Sequence, residues 1–147
     1  SAQITDIQSF EDRENGGETG NYPQLVIEGE PTAVELTSFT ATPGQAEILL
    51  EWETASETDL QGFNLYRAES YDAFPEGTYE QLNSSLIPST GDSVQGDYYS
   101  YADQGAMPGV RYYYWLEDVG EGRTSSYGPV DAMLASYQIY LPLVLRW

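Results

Sequence analysis

The segment QAEILLEWETASETDLQGFNLYR, residues 45–67, decides the fold of the chain. Ile48, Leu50 and Trp52 fall at every second position, with glutamates on the opposite parity, and this period is typical of a strand with one buried face. After a polar break over residues 54–61, a second run with the same period begins at Phe63. The two runs predict neighbouring antiparallel strands joined by a structured loop, and with them the start of a sandwich core.

Two short pieces of the chain resemble a known family. The first consists of Trp52, Thr54, Ala55, Ser56, Glu57, Gly62, Phe63 and Arg67. The second is the turn PGVRY at residues 108–112. Together they resemble a fibronectin type III-like domain of bacterial secreted and cell-surface proteins. The resemblance covers residues 33–134 and implies an all-β, antiparallel β-sandwich.

The resemblance also implies roles for individual residues. Trp52 would be the buried tryptophan of the second strand, and Tyr112 would be a tyrosine-corner residue whose hydroxyl bonds to upstream backbone. Glu57 and Arg67 would form a bidentate pair that fixes the corner between the second and third strands. These roles specify a fold but no function, because such sandwiches serve as scaffolds and spacers as often as binders.

The remaining segments complete the set of predicted strands. In residues 33–41, Phe39 lies on the other parity from Val34 and Leu36, which predicts a bulge in the first strand. Further strands are predicted at residues 79–87, 97–102, 111–118 and 124–134. The last of them contains Gly128 and Pro129, which favour an edge position.

Both ends of the chain lie outside this sandwich. Residues 1–32 form an N-terminal extension, in which residues 11–21 predict an acidic linker or loop and residues 23–28 a short strand. The apolar spacing of residues 1–10 fits neither a strand nor an amphipathic helix. Residues 135–147 form a separate C-terminal apolar strand. The predicted organisation is therefore 1–32, 33–134 and 135–147.

The charge and the missing residue types exclude several functions. The 147 residues carry 24 acids against 5 bases, a net charge of -19, so binding to nucleic acid or anionic lipid is unfavourable. The chain has no cysteine or histidine, which removes disulfides, thiolate metal sites and the usual general base. All five bases are arginines, so isopeptide cross-links and Schiff bases through lysine are excluded. We expect non-covalent assembly and no enzymatic activity.

The start of the sequence bears on the cellular location. The chain begins Ser1-Ala2-Gln3 without a methionine, and no stretch approaches the roughly 20 apolar residues that span a bilayer. We expect a processed, exported protein at the surface of a prokaryotic cell that does not span the membrane, the alternative being an expression fragment.

Three carboxylates and one asparagine are candidate binding or modification sites. Asp92, Asp97 and Asp103 lie near predicted loops at one end of the sandwich, and hard oxygen ligands of this type suit calcium. The alternative is clustering by composition, since the three lack the spacing of a calcium loop. No other cofactor is expected. Asn83 begins an Asn-Ser-Ser glycosylation sequon, which matters only if the source organism glycosylates asparagine.

Consecutive aromatic residues predict an exposed aromatic surface. If Tyr112 points inward, Tyr113 and Trp115 point outward, where with Tyr99 they would form a second interface or a glycan contact. The alternative is ordinary core packing and cross-strand pairing, which explains one parity of each strand but not both.

The C-terminal segment SYQIYLPLVLRW predicts one more strand. Its large apolar residues occupy every second position without a break: Tyr137, Ile139, Leu141, Leu143, Leu145 and Trp147. Residues 137–147 reach about 36 Å, longer than a typical strand, which favours pairing with another subunit. An eighth strand of the same domain and attachment to the cell surface are the alternatives. Pro142 should interrupt the pairing, and residues 1–10 are the competing donor.

These observations lead to one preferred function and two others. We expect a structural subunit of a non-covalent extracellular filament, a head-to-tail homopolymer joined by β-strand addition. The alternative is a carbohydrate- or protein-binding module of a bacterial surface protein. An enzyme is the third reading, and no pair of carboxylates in the sequence is marked as acid and base.

Overall fold

The computed structural model describes residues 34–136 in full, together with the backbone of residues 3–5 and 26–28. Within these residues the chain forms ten strands: β1 (Gln3–Thr5), β2 (Val26–Glu28), β3 (Val34–Pro43), β4 (Ile48–Glu57), β5 (Leu60–Ala68), β6 (Glu80–Gln81), β7 (Ile87–Pro88), β8 (Tyr98–Asp103), β9 (Arg111–Gly120) and β10 (Arg123–Met133). The chain divides into two compact units, Ser1–Thr32 and Ala33–Trp147. No described segment is a helix long and apolar enough to cross a membrane.

The first unit contains a small antiparallel ladder. β1 pairs with β2, with Ile4 opposite Ile27. The strand predicted within residues 23–28 is therefore confirmed. β1 was not predicted, because an apolar spacing of three residues does not indicate a three-residue strand.

The second unit is an antiparallel β-sandwich. One sheet has the order β3-β4-β8, and the other has the order β10-β9-β5-β6 with β7 also paired to β5. β10 lies at an edge, and its register with β9 shifts between Tyr127 and Val130, as the Gly128-Pro129 pair predicts. The bulge predicted in the first strand is also confirmed, by register shifts on both sides of Leu36.

The core lies where the two sheets face each other. Ile48, Leu50 and Trp52 of β4 are fully buried, and so are Phe63 and Leu65 of β5, as their period predicts. The Trp52 ring stacks on Tyr99 with 5.3 Å between centroids and meets the edge of Phe63 at 5.4 Å. Tyr114 and Leu116 of β9 complete this layer.

The predicted pairing of the two runs in residues 45–67 is wrong. β4 and β5 belong to opposite sheets, and only Thr58 and Asp59 connect them. Asp59 adopts a positive φ of 52°, which turns the chain sharply. β4 extends into the polar stretch because Thr54 and Glu57 are buried there and bonded to protein groups, so that the supposed loop is mostly strand.

Candidate functional site

Arg67, near the end of β5, is the centre of a charged cluster. Its Nη1 donates to both carboxylate oxygens of Asp103 at 2.8 and 2.9 Å, and its Nη2 donates to Glu80 at 2.6 Å. The buried Asp103 also accepts a bond from the hydroxyl of Tyr114 at 2.8 Å. Burial by itself lowers the pKa of Arg67, but the bonds to Asp103 and Glu80 outweigh burial and raise it. The guanidinium is therefore fixed in place as a cation.

A groove opens beside this cluster. Its volume is about 610 Å³, and its lining includes Arg67, Glu69, Tyr79, Glu80, Met107 and Tyr112. The Arg67 guanidinium carbon lies 4.8 Å from the centre of the Tyr112 ring, within the range of a cation–π contact. The groove thus combines a fixed cation, two carboxylates and aromatic rings.

Tyr112, the second residue of β9, forms the corner at the start of that strand. Its ring is 4% exposed, and its hydroxyl accepts a hydrogen bond from the backbone N–H of Met107, five residues upstream, at 3.3 Å. This contact is the tyrosine corner that the resemblance implies. The corner lies at the end of the connection between β8 of one sheet and β9 of the other.

The two antiparallel sheets and the Tyr112 corner give the second unit the fibronectin type III-like fold that the resemblance implies. The crystal structure of an Fn3-like protein from Clostridium thermocellum is similar to this chain, with a TM-score of 0.46 and 17% sequence identity, covering 74% of this chain and 100% of that one. No protein-family model and no curated protein matches the sequence.

In this fibronectin type III-like domain, Glu57 and Arg67 do not pair with each other. Glu57 instead accepts bonds from the hydroxyls of Thr54 and Tyr99, both at 2.6 Å, from the Gly91 N–H at 2.9 Å and from the hydroxyl of Ser89. The expected pair is wrong because Glu57, at the end of β4, fastens the loop that follows β7. Burial raises the pKa of Glu57, but these hydrogen bonds together outweigh burial and lower it.

The predicted calcium ligands do not come together. Asp97 directly precedes β8 and Asp103 is its sixth and last residue, so that roughly 20 Å of strand separates their backbones. Asp103 is occupied by Arg67 and Tyr114, whereas Asp92 accepts the backbone N–H groups of Val94 and Gln95 within its own turn. No group of three potential metal ligands occurs among the described residues. The expectation that the three aspartates lie at one end of the domain is wrong.

The predicted aromatic surface is largely covered. Tyr99 is 7% exposed in the core, and Trp115 is 5% exposed on the outer face of β9. Residues 69–79, between β5 and β6, fold back over that face and stack Phe74 on Trp115 with 5.7 Å between centroids. Tyr113 is half-buried beside the exposed Tyr71. The alternation along the strand correctly predicted that the Trp115 side chain lies on the outer face of the sheet. It could not show that the loop after β5 covers that face.

The sequon residue Asn83 is buried and serves the domain as a structural bridge. It is 5% exposed, its Oδ1 accepts the Leu65 N–H at 2.8 Å, and its Nδ2 donates to the carbonyls of Phe63 and Ser85 at 3.2 and 2.9 Å. The side chain thus supplies ladder bonds to β5 between the short strands β6 and β7. A glycan on Nδ2 would break these bonds, so the folded structure contradicts the predicted modification site.

Sequence reasoning missed the groove residues. Tyr79, Glu80 and Met107 come from two separate segments, and no motif or spacing links them in the sequence. The predicted interface of Tyr137, Ile139, Leu141, Leu143, Leu145 and Trp147 lies outside the described residues, and so does the acidic linker.

Proposed function

We propose that the chain is a structural subunit of a non-covalent extracellular filament on a prokaryotic surface, joined to its neighbours by β-strand addition. A structural rather than enzymatic role is supported by the buried polar residues, whose hydrogen bonds are made to other groups of the same domain. Glu57, Asn83, Asp103 and Asp118 all have hydrogen-bond partners inside the domain. In the described residues, Trp52 Nε1 is the buried side-chain polar atom without a partner.

The observation that carries the proposal is the edge strand β10. It has eleven residues, and on the side away from β9 no described strand pairs with it. An edge of this kind presents unpaired N–H and C=O groups to another chain. The strands of the two sheets already enclose the core, so a donor would extend the sheet at this edge rather than fill a gap.

The C-terminal segment is the proposed donor. Its residues 137–147 equal β10 in number, so the expectation that the segment is too long for a strand of its own domain is wrong. The length instead matches a receiving edge. Burying six large apolar side chains at roughly 1.5 to 3 kcal/mol each gives on the order of 10 kcal/mol before the cost of ordering.

The departure point of this segment is fixed in the domain. Leu134 is 1% exposed, and its carbonyl accepts the Gly109 N–H at 2.9 Å. A load applied to residues 137–147 would therefore pass directly into the sandwich. This anchoring suits a head-to-tail contact, which does not close and yields filaments.

Two truncations test which end donates the strand. A chain ending at Ala135 should remain monomeric by electron microscopy and light scattering, while a chain beginning at Pro23 should still form filaments. The opposite result would assign the donor to residues 1–10, and filaments from both would exclude strand donation by either end.

Paired substitutions test the receiving edge. Thr124→Lys and Ser126→Lys place charge at exposed positions of β10 and should shorten or abolish filaments. Thr40→Lys, at an exposed position of β3, an edge strand of the three-stranded sheet, is the matched control and should leave them unchanged. Loss of filaments only with Thr40→Lys would move the receiving edge to β3.

A further inference from the structure

The groove beside Arg67 has the composition of a ligand site, and we propose that it binds a neutral carbohydrate. This site is separate from the β10 edge and goes beyond the proposed filament role. Its volume of about 610 Å³ lies within the range of small-molecule sites, which combine an apolar lining with a few placed polar groups. The ligand class follows from three properties of its lining.

The first property is that hydrogen-bond donors and acceptors stand side by side. Arg67 Nη1 shares one hydrogen between the two carboxylate oxygens of Asp103, and Nη2 gives one hydrogen to Glu80, so the other guanidinium hydrogens have no acceptor among the described residues. Glu80 uses Oε2 for this contact and keeps Oε1 for a ligand, and Glu69 adds a second exposed carboxylate. A sugar hydroxyl both donates and accepts, so adjacent hydroxyls would use both kinds of group.

The second property is a fixed aromatic wall. Tyr79 is 40% exposed, although its ring meets Phe74 and Tyr66 at centroid distances of 5.0 and 5.4 Å in perpendicular or nearly perpendicular contacts. These contacts hold the ring in place, so little conformational freedom remains to be lost on binding. The C–H face of a sugar ring packs against such an aromatic surface. Met107, 56% exposed, adds an apolar wall contributed by the loop before β9.

The third property is charge. The net charge of -19 and the carboxylates of Glu69 and Glu80 oppose an anionic ligand. A cationic ligand would have to approach the Arg67 guanidinium, which its bonds to Asp103 and Glu80 keep protonated. A neutral ligand with many hydroxyls avoids both penalties.

The test is a titration of the full chain with neutral β-1,4-linked hexasaccharides of glucose, xylose, mannose and N-acetylglucosamine, followed by calorimetry and backbone NMR. Polygalacturonate and a tetra-arginine peptide are the anionic and cationic arms. We expect at least one neutral hexasaccharide to bind and to shift the amide signals of Arg67, Glu80 and Met107.

Three tyrosine variants sharpen the result. Tyr79→Ala should weaken binding about tenfold or more, whereas Tyr79→Phe, which keeps the ring, should stay within about twofold. Tyr98→Ala is the matched control, because Tyr98 is 56% exposed on β8 of the other sheet. Binding by none of the neutral sugars, tighter binding of either charged probe, or equal losses for Tyr79→Ala and Tyr98→Ala would overturn the proposal. The NMR shifts on the unmodified chain decide the location even if Tyr79→Ala fails to fold.

Discussion

At the scale of single residues, the core depends on Trp52. Its ring is fully buried between Tyr99 of the neighbouring strand and Phe63 of the opposite sheet. A cavity left here would be lined by two more aromatic rings and by strands on both sides. The surrounding structure therefore has little freedom to collapse into it.

We predict that Trp52→Ala lowers the free energy of unfolding by roughly 3 to 5 kcal/mol. Urea melts followed by circular dichroism measure the change. Tyr98→Ala removes an exposed aromatic ring next to Tyr99 in sequence and should cost far less. Coincident melts of the unmodified chain and Trp52→Ala would contradict the burial of this ring.

Glu57 gives the domain a dependence on pH. Its pKa lies below the ordinary value of 4.5, so the folded state holds the ionised form more firmly than the unfolded chain does. A depressed pKa contributes stability that is present above the unfolded pKa and lost as the pH falls through the folded pKa. We predict that Glu57→Gln is less stable than the unmodified chain at neutral pH and that the difference shrinks below about pH 4.5.

Thermal melts of both proteins between about pH 7 and about pH 3 measure this difference. Glu121→Gln is the control, because Glu121 is exposed in the turn between β9 and β10. A stability difference that stays constant over the whole range would show that Glu57 acts through its shape and hydrogen bonds alone.

At the scale of elements, β5 is held on one side by β9 and on the other by two strands of two residues each. The Asn83 amide fills the interval between β6 and β7 with bonds to the backbone of Phe63 and Leu65. Arg67 and Ala68, at the end of β5, line the groove. The Asn83 side chain therefore also supports the strand that forms one side of the groove.

We predict that Asn83→Ala destabilises the domain by about 1 to 3 kcal/mol, because it leaves buried backbone groups of β5 without partners. Hydrogen exchange of the Leu65 amide should accelerate with it. Ser85→Ala is the matched control, since it also destroys the sequon but leaves the Ser85 carbonyl that accepts from Asn83. Equal effects of the two substitutions would contradict the structural role of the Asn83 amide.

At the scale of the whole molecule, the net charge of -19 opposes any contact between copies. The described ion pairs of Arg67 and Arg111 are made within one chain, to Asp103, Glu80 and Asp131. Because ion pairs within a chain do not change its net charge, neighbouring subunits would still repel each other. The proposed contact therefore relies on apolar burial and backbone pairing.

We predict that association strengthens as salt or divalent cations are added, because repulsion between subunits is screened within about 8 Å at physiological ionic strength. Sedimentation of the full chain from low to moderate sodium chloride measures the effect, with magnesium chloride at matched ionic strength as a second series. Association that weakens or stays constant with added salt would count against a contact limited by like charge.

The sequence by itself determined which residues face the core and where the main strands run. The period of two at Ile48, Leu50 and Trp52 survives in the structure, because alternate side chains of a strand share one face and this face packs against the other sheet. The edge position of β10 followed from Gly128 and Pro129, and the corner at Tyr112 from the resemblance. These are local signals, and the physics that enforces them is local as well.

The tertiary structure alone decided the partners. Period shows that a strand has a buried face but not which sheet it joins, so β4 and β5 were paired wrongly. The bonds between Arg67 and Glu80, Glu57 and Tyr99, and Asn83 and Leu65 join residues 13, 42 and 18 positions apart, and no local pattern encodes the chain reversals that bring these partners together. The burial of Trp115 and the groove beside Arg67 likewise depend on how loops between strands fold back, because a loop's path is set by what it covers.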